Sequence, residues 1–392
     1  MPMKIVTVAG ARPNFVKIAP LLREMRRHPS LVPILVHTGQ HYDGALSDRL
    51  FTDLEIPPPE FNLGVGSGSH ATQTAEVLRR LEPILEKVKP HLVLVVGDVN
   101  STLGAALTAA KLGVPVAHVE AGLRSFDRTM PEEINRVLTD ALSDLLFVTE
   151  ESGRQNLLRE GISHEQIHFV GNVMIDALQA SGASWESSSI FTRLGLEGEH
   201  PYAVLTLHRP SNVDDPLTLK NLLEALQVLA HHLPFVFPVH PRVKPQLLRQ
   251  KNLFWPRPDS GERLPSKGVS CLDPLGYLDC IALMSRARVV LTDSGGIQEE
   301  TTILGVPCLT LREKTERPVT VTHGTNRVIG TDPERIVKET LFTLEHPPYT
   351  SAPPPFWDGR AAERIVRVLL EYGASLQDSL IRQCGEKAGV SR

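Results

Sequence analysis

Leu112-Gly113-Val114-Pro115 recurs 192 residues downstream as Leu304-Gly305-Val306-Pro307, an offset close to half of the 392-residue chain. In each copy the glycine suits a helix C-terminus and the proline suits the first residue of a strand. The tetrapeptide alone is a common helix-to-strand turn. Its surroundings repeat as well. Each copy is preceded by an apolar run ending in an aspartate (Asp98, Asp293), a turn of small residues and a helical stretch, and is followed by another apolar run. The repeated unit predicts two similar lobes.

Outward from this repeat the same alternation continues. Val-, Ile- and Leu-rich runs at 4–9, 31–37, 91–96, 114–119, 144–149 and 167–170 read as strands. Between them lie helical patterns at 16–27, 72–88, 102–112, 132–142 and 152–160. Continuously apolar strands that alternate with helices form a parallel sheet covered on both faces. Residues 181–200, rich in Ser, Gly and Glu, read as a linker. Beyond it, strands are expected at 202–207, 235–240, 269–272, 288–292, 307–311 and 326–329. Helices are expected at 216–231, 242–250, 277–286, 297–304 and 333–345, with a last one near 359–372. The expected fold is therefore α/β, with two Rossmann-like doubly wound parallel-sheet domains at 1–180 and 181–371. Ligands of such sheets bind beyond the carboxyl ends of the strands, which points to the cleft between the lobes.

Composition narrows the function. A hydrophobic fraction of 41% and a charged fraction of 22% are those of a globular protein, not of a disordered chain, a fibre or a coiled coil. With 41 basic and 45 acidic residues the net charge is −4, so no basic excess argues for nucleic acid or an anionic membrane. Cys271, Cys280, Cys308 and Cys384 form no C-x-x-C pair, which argues against zinc and for reduced thiols. Arg12 and Lys17 fall too early for the apolar core of a signal peptide, and apolar runs such as Leu92–Val96 have strand length. A cytoplasmic protein is expected.

Asp293-Ser294-Gly295-Gly296-Ile297-Gln298-Glu299-Glu300 joins a strand to a helix. Small residues there let backbone N–H groups approach an anion at the helix N-terminus. The motif is neither a Walker A loop nor G-x-G-x-x-G, which disfavours a nicotinamide dinucleotide. Glu300 has the reach to accept ribose hydroxyls. The plain alternative is a tight turn with acidic residues suited to the helix dipole. Arg12, after the first strand, and Lys17, on the next helix, are cations placed to neutralise phosphate. His208 and Arg209 occupy the corresponding strand end of the second lobe. Asp98, Glu120 and Glu132 are three carboxylates that successive units deliver to one sheet edge, and His41 follows the second strand. Singly, each has a structural reading as turn residue, cap or loop histidine. Together, clustered carboxylates can supply an acid and a base near neutrality.

In combination, the stretches 10–17, 38–41, 97–102, 118–124, 131–136, 207–209, 293–305 and 315–318 resemble the UDP-N-acetylglucosamine 2-epimerase family, non-hydrolysing bacterial type. The resemblance spans nearly the whole chain. It implies a GT-B fold in which a C-terminal helix, 372–392, returns to the first lobe. It also implies a homodimer with neither metal nor nicotinamide cofactor. The implied reaction interconverts UDP-GlcNAc and UDP-ManNAc through elimination of UDP to 2-acetamidoglucal and its re-addition. Asp98, Glu120 and Glu132 match the acid/base groups. Arg12, His208, Ser294, Gly295 and Gly296 match the site of the leaving diphosphate, Glu300 the ribose site, and Arg317 the diphosphate and sugar. A hydrolysing epimerase, a GT-B glycosyltransferase and a non-catalytic nucleotide-sugar binding protein are the alternatives. The carboxylates disfavour the last of these.

Two departures from the family pattern stand out. Cys280 takes the place of an aromatic residue near the uracil. At the second, regulatory UDP-GlcNAc site of regulated members, Asp43 replaces an amide, and Thr72 and Pro210 each replace an arginine. Loss of charge-assisted hydrogen bonds to a diphosphate predicts a hyperbolic dependence of rate on UDP-GlcNAc.

Overall fold

A computed structural model describes residues 2–40, 44–198, 200–248, 267–348 and 352–389. The chain forms two compact units, Met1–Ala177 with Phe356–Arg392, and Leu178–Pro355.

Unit 1 holds a seven-stranded parallel sheet: β1 (Met3–Ala9), β2 (Leu31–His37), β3 (Phe61–Asn62), β4 (Leu92–Val96), β5 (Val116–Ala121), β6 (Leu145–Val148) and β7 (Ile167–Phe169), in the order β3-β2-β1-β4-β5-β6-β7. Unit 2 holds six parallel strands: β8 (Ala203–Thr206), β9 (Phe235–Pro238), β10 (Val269–Leu272), β11 (Val289–Thr292), β12 (Cys308–Thr310) and β13 (Asn326–Val328), in the order β10-β9-β8-β11-β12-β13. Both are the doubly wound order in which the chain reverses direction beside the first strand. The switch points lie between β1 and β4 in unit 1, and between β8 and β11 in unit 2.

Burial explains the apolar runs. Every residue of β4 has zero exposure, because helices cover both faces of the sheet. The repeated tetrapeptide has a structural counterpart. Gly113 (φ 68°) and Gly305 (φ 69°) take the left-handed conformation just after the helices Asn100–Lys111 and Gly295–Leu304. Only glycine adopts it without steric cost, so the two turns are equivalent positions of two equivalent folds.

Some elements were not anticipated. The first helix begins at Arg12, four residues earlier than its apolar pattern, and β3 has only two residues. The helices Gly44–Asp53 and Val173–Ala180 lie outside the helical patterns of the sequence. Segment 181–200 contains two short helices, Gly182–Glu186 and Ile190–Arg193. Ile190 and Phe191 are buried, and Ser188 Oγ and Arg193 Nη1 reach the Asp279 carboxylate at 2.6 and 3.2 Å. Its polar composition describes its outer surface, while a few apolar residues and one carboxylate fasten it to unit 2. From Ala361 a single helix runs to Gly389 in unit 1, and Asp176 caps it by accepting the N–H groups of Ala361 and Ala362 at 3.1 and 2.7 Å.

Candidate active site

Beside the switch point of unit 1, the pairing of Val96 with Val119 brings the ends of β4 and β5 side by side. Asp98 follows β4, and its carboxylate accepts Arg136 Nη2 at 2.7 Å. Arg136 is itself held by Glu133 at 2.6 Å. Glu133 also accepts the backbone N–H groups of Ser125 and Phe126, each at 2.9 Å. Asn135 Nδ2 donates to the Asp98 carbonyl at 2.8 Å. Asp98 thus sits on a framework built from the helix Pro131–Leu142 and the loop before it.

Glu120 is buried on β5 and pairs with Lys17 Nζ from the first helix. Its backbone is left-handed (φ 76°), and the β5–β6 register shifts between Val119 and Ala121. A bulge re-aims one side chain at a strand end, and a non-glycine residue in this region stores roughly 1–3 kcal/mol of strain. Glu132 lies half-exposed in the first turn of its helix and makes no hydrogen bond or ion pair among the described residues. Arg12 opens the first helix, half-exposed. His41 lies outside the described residues.

His118, within the His-Val-Glu-Ala-Gly-Leu-Arg stretch, has zero exposure. Its ring nitrogens face Asp140 Oδ1 at 2.6 Å and the Gly97 carbonyl at 2.8 Å, which anchors the backbone next to Asp98. Burial opposes ionisation of Asp140, but His118 and Arg124 outweigh it and hold the carboxyl below its ordinary range.

At the switch point of unit 2, Thr206 of β8 pairs with Thr292 of β11, so the residues just beyond each strand meet. Asp293 is fully buried there and accepts His208 Nδ1 at 2.7 Å. It also accepts the backbone N–H groups of His208 and Arg209 at 3.1 and 3.0 Å. Burial pushes Asp293 up, but the facing His208 and these donors hold its carboxyl below the usual carboxylate range. Ser294 is the N-cap of the helix Gly295–Leu304, with its side chain making no cap hydrogen bond, and Gly296 is half-buried in the first turn.

Arg317 packs against the start of that helix. A Cβ placed on Gly295 would lie 2.3 Å from Arg317 Nη1, so this close approach requires glycine. A guanidinium at the positive end of a helix needs compensation. Glu299 accepts Arg317 Nε at 2.7 Å and Glu316 accepts its Nη1 at 2.5 Å. The same Glu316 carboxylate takes Arg312 at 2.7 Å and Arg209 at 3.4 Å. One buried carboxylate thereby lets three guanidiniums pack together beside a helix N-terminus.

Glu300 is buried one turn into the helix, where burial and the adjacent Glu299 push its carboxyl up to about 8. The buried Tyr277 hydroxyl lies against the Glu300 carboxyl. Burial and the nearby Glu300 push it well above its ordinary value. Cys280 lies one turn further along the helix Tyr277–Ser285.

Unit 1 therefore gathers Glu120 with Lys17, and Asp98 with Arg136. Unit 2 gathers His208, Arg209, Arg317 and the helix start, with Glu300 beside Tyr277. Glu133, Arg136, His118, Glu316 and Tyr277 are not among the candidate site residues of the sequence, and Asp293 is read there only as a strand-ending residue of its motif. The nearest signal is position, since all but Tyr277 lie within a stretch already read.

The sequence profile of the UDP-N-acetylglucosamine 2-epimerase family matches residues 23–370. The chain is 41% identical over 378 residues to a UDP-N-acetylglucosamine 2-epimerase of Methanocaldococcus jannaschii, covering 95% of this chain and 100% of that protein. It is also 41% identical over 346 residues to a UDP-2,3-diacetamido-2,3-dideoxy-D-glucuronate 2-epimerase of Pseudomonas aeruginosa, covering 87% of this chain and 92% of that protein. A crystal structure of the Methanocaldococcus jannaschii UDP-GlcNAc 2-epimerase in complex with UDP-GlcNAc and UDP matches with a TM-score of 0.85 at 39% identity, over 94% of this chain and 100% of that one.

Proposed function

Because the chain belongs to the UDP-N-acetylglucosamine 2-epimerase family, we propose that it inverts C2 of UDP-N-acetylglucosamine reversibly, giving UDP-N-acetylmannosamine. The observation that carries this reading is the division of labour between the two switch points. One pairs Glu120 with Lys17 and Asp98 with Arg136, and Glu132 opens the helix that carries Arg136. The other presents helix-terminal amides with His208, Arg209 and Arg317.

The C2 proton is not alpha to a carbonyl and becomes acidic only as the C1–O bond breaks. A carboxylate takes the proton, the C–H electron pair becomes the C1=C2 bond, and the C1–O pair leaves with UDP. The intermediate is 2-acetamidoglucal. A second carboxyl then protonates the opposite face of C2 while a UDP oxygen returns to C1. Asp98, Glu120 and Glu132 supply this acid/base work. Lys17, paired with Glu120, keeps a cation beside the carboxylate nearest in sequence to the bulge. Arg12, His208, Arg209, Arg317 and the amides of Ser294, Gly295 and Gly296 stabilise the departing diphosphate. Glu300 and the Tyr277 hydroxyl beside it receive the ribose hydroxyls.

The test is a proton NMR time course with UDP-GlcNAc in D2O, without added metal or nicotinamide. UDP-ManNAc should appear and carry solvent deuterium at C2. Full turnover with the C2 hydrogen retained would overturn the elimination. Free ManNAc as the main product would make the enzyme hydrolysing.

The equal identity to the diacetamido-glucuronate epimerase favours a second reading, in which the same C2 chemistry acts on that substrate. Its kcat/KM measured beside that of UDP-GlcNAc decides between them. The reading also includes a homodimer, supported by Ile134 and Leu138, which are exposed four residues apart on the helix Pro131–Leu142. Light scattering checks it. No helix among the described residues is long and apolar enough to cross a membrane, and we place the enzyme in the cytoplasm with its nucleotide-sugar substrate. Fractionation of its source cells tests this placement. Rates should follow UDP-GlcNAc hyperbolically, and a sigmoidal curve would show that a second substrate site operates.

A further inference from the structure

We propose that Asp293 is the positioning residue of His208, orienting the imidazole so that Nδ1–H points inward and Nε2 faces the leaving diphosphate. This rests on the reading that His208 meets the diphosphate.

Four observations carry it. Asp293 has zero exposure, whereas the His208 side chain is 40% exposed, so the pair joins a buried acceptor to a ring that reaches the surface of the site. The 2.7 Å contact is made by Nδ1, which leaves Nε2 as the outward atom. The ring is aimed by its own backbone as well, because the His208 N–H donates to the same carboxylate. Asn212 Nδ2 donates to Asp293 Oδ2 at 3.2 Å and to the Leu311 carbonyl at 2.9 Å, which holds the carboxylate in turn. A carboxylate on one ring nitrogen sets which nitrogen carries the proton and which faces outward. For a leaving diphosphate the consequence is direct. When the outward nitrogen is also protonated, its N–H is aimed at developing charge and the imidazolium is neutralised from behind by Asp293. No reorientation is needed as the C1–O bond breaks. The other charged groups facing His208 are Arg209, held by Glu316, and His240, whose ring centroid lies 6.0 Å away.

Asp293 also supports backbone, so the experiment must separate positioning from scaffolding. It is a double-mutant cycle of Asp293→Asn and His208→Ala, read as kcat, KM and UDP affinity. Asp293→Asn should lower kcat roughly 10- to 100-fold, as loss of a group that orients a functional histidine does. UDP affinity should change by less than about threefold, since the amides and arginines remain. In the His208→Ala background the same substitution should cost less than about twofold. A full, multiplicative loss in that background would make Asp293 a scaffold residue and overturn the proposal alone. Wild-type turnover in His208→Ala by itself would overturn both the proposal and the reading beneath it. Should Asp293→Asn fail to fold, 15N–1H correlation spectra of histidine-labelled wild-type protein give the answer directly. The expected neutral form carries its proton on Nδ1 of His208, and a proton on Nε2 with bare Nδ1 overturns the proposal.

Discussion

The two switch points share a topology and differ in almost everything else. Both lie beside the first strand of a doubly wound sheet, and an aspartate follows the fourth strand of unit 1 and the corresponding strand of unit 2. In unit 1 that aspartate, Asp98, is half-buried and pairs with the buried Arg136 guanidinium; in unit 2 Asp293 is buried beneath a histidine. Unit 1 sets its carboxylates against its own cations, Lys17 and Arg136. Unit 2 buries its carboxylates, Asp293, Glu299 and Glu316, against His208, Arg209, Arg312 and Arg317. Strain divides the same way. Among the described residues, every non-glycine with a left-handed backbone belongs to unit 1, Glu120 included. Topology gives the address at which a ligand binds, and the side chains placed there set the chemistry of that address.

The comparison breaks most visibly if the two sets of residues fail in the same way. Asp98→Asn, Glu120→Gln and Glu132→Gln should each lower turnover by ~10²–10⁴ while UDP affinity, measured by calorimetry, stays within a few-fold. His208→Ala should lower both. Near-normal turnover in all three carboxamide variants would make the unit 1 cluster structural.

A smaller effect separates the units by pH. Glu300, raised to about 8 by burial and by Glu299, is largely protonated at neutral pH. Ribose hydroxyls that donate to it favour the carboxylate, so binding releases a proton. Uridine affinity should therefore rise with pH, by up to about tenfold per unit below 8, and level off above it. Glu300→Gln should abolish the slope. The unfolded carboxyl titrates near its ordinary value, so the protonated form is the one that folding favours. Stability from this group is accordingly full below that value and lost as pH rises through about 8.

The smallest expected effect concerns strain. Glu120→Ala keeps a Cβ in the left-handed conformation, whereas Glu120→Gly removes it. Urea unfolding should find Glu120→Gly the more stable of the two by about 1 kcal/mol, with both inactive. Equal stabilities would show that the φ of 76° costs nothing here. At His208, Asp293 and Ser294 no positive φ occurs, and the same pair of substitutions should show only the ordinary advantage of alanine.

Much of this was legible in the amino-acid order. Apolar runs flanked by helical periods specify buried parallel strands, because a strand covered on both faces has no polar side to show. All but one of the strands coincide with those runs. The exception, β3, has two residues at the sheet edge, too few to leave a pattern. The short helices within 181–200 leave no pattern for a similar reason, since Gly182–Glu186 has no buried residue and Ile190–Arg193 has two, Ile190 and Phe191.

Charge pairing was not legible, and the reason is geometric. Lys17 reads from the sequence as a cation for phosphate, and its partner Glu120, 103 residues away, emerges only when the first helix is laid against β5. Glu132 and Glu133 are adjacent letters of one motif, yet a 100° rotation of the helix leaves one half-exposed and buries the other beneath a loop. Asp293 meets the backbone of His208 across 85 residues only because β8 and β11 pair with Thr206 opposite Thr292. Local order thus specified the strands, the turns and the residue types at the strand ends. Which acid faces which base was decided by strand register and helix rotation, because those alone set distances between segments far apart in the chain.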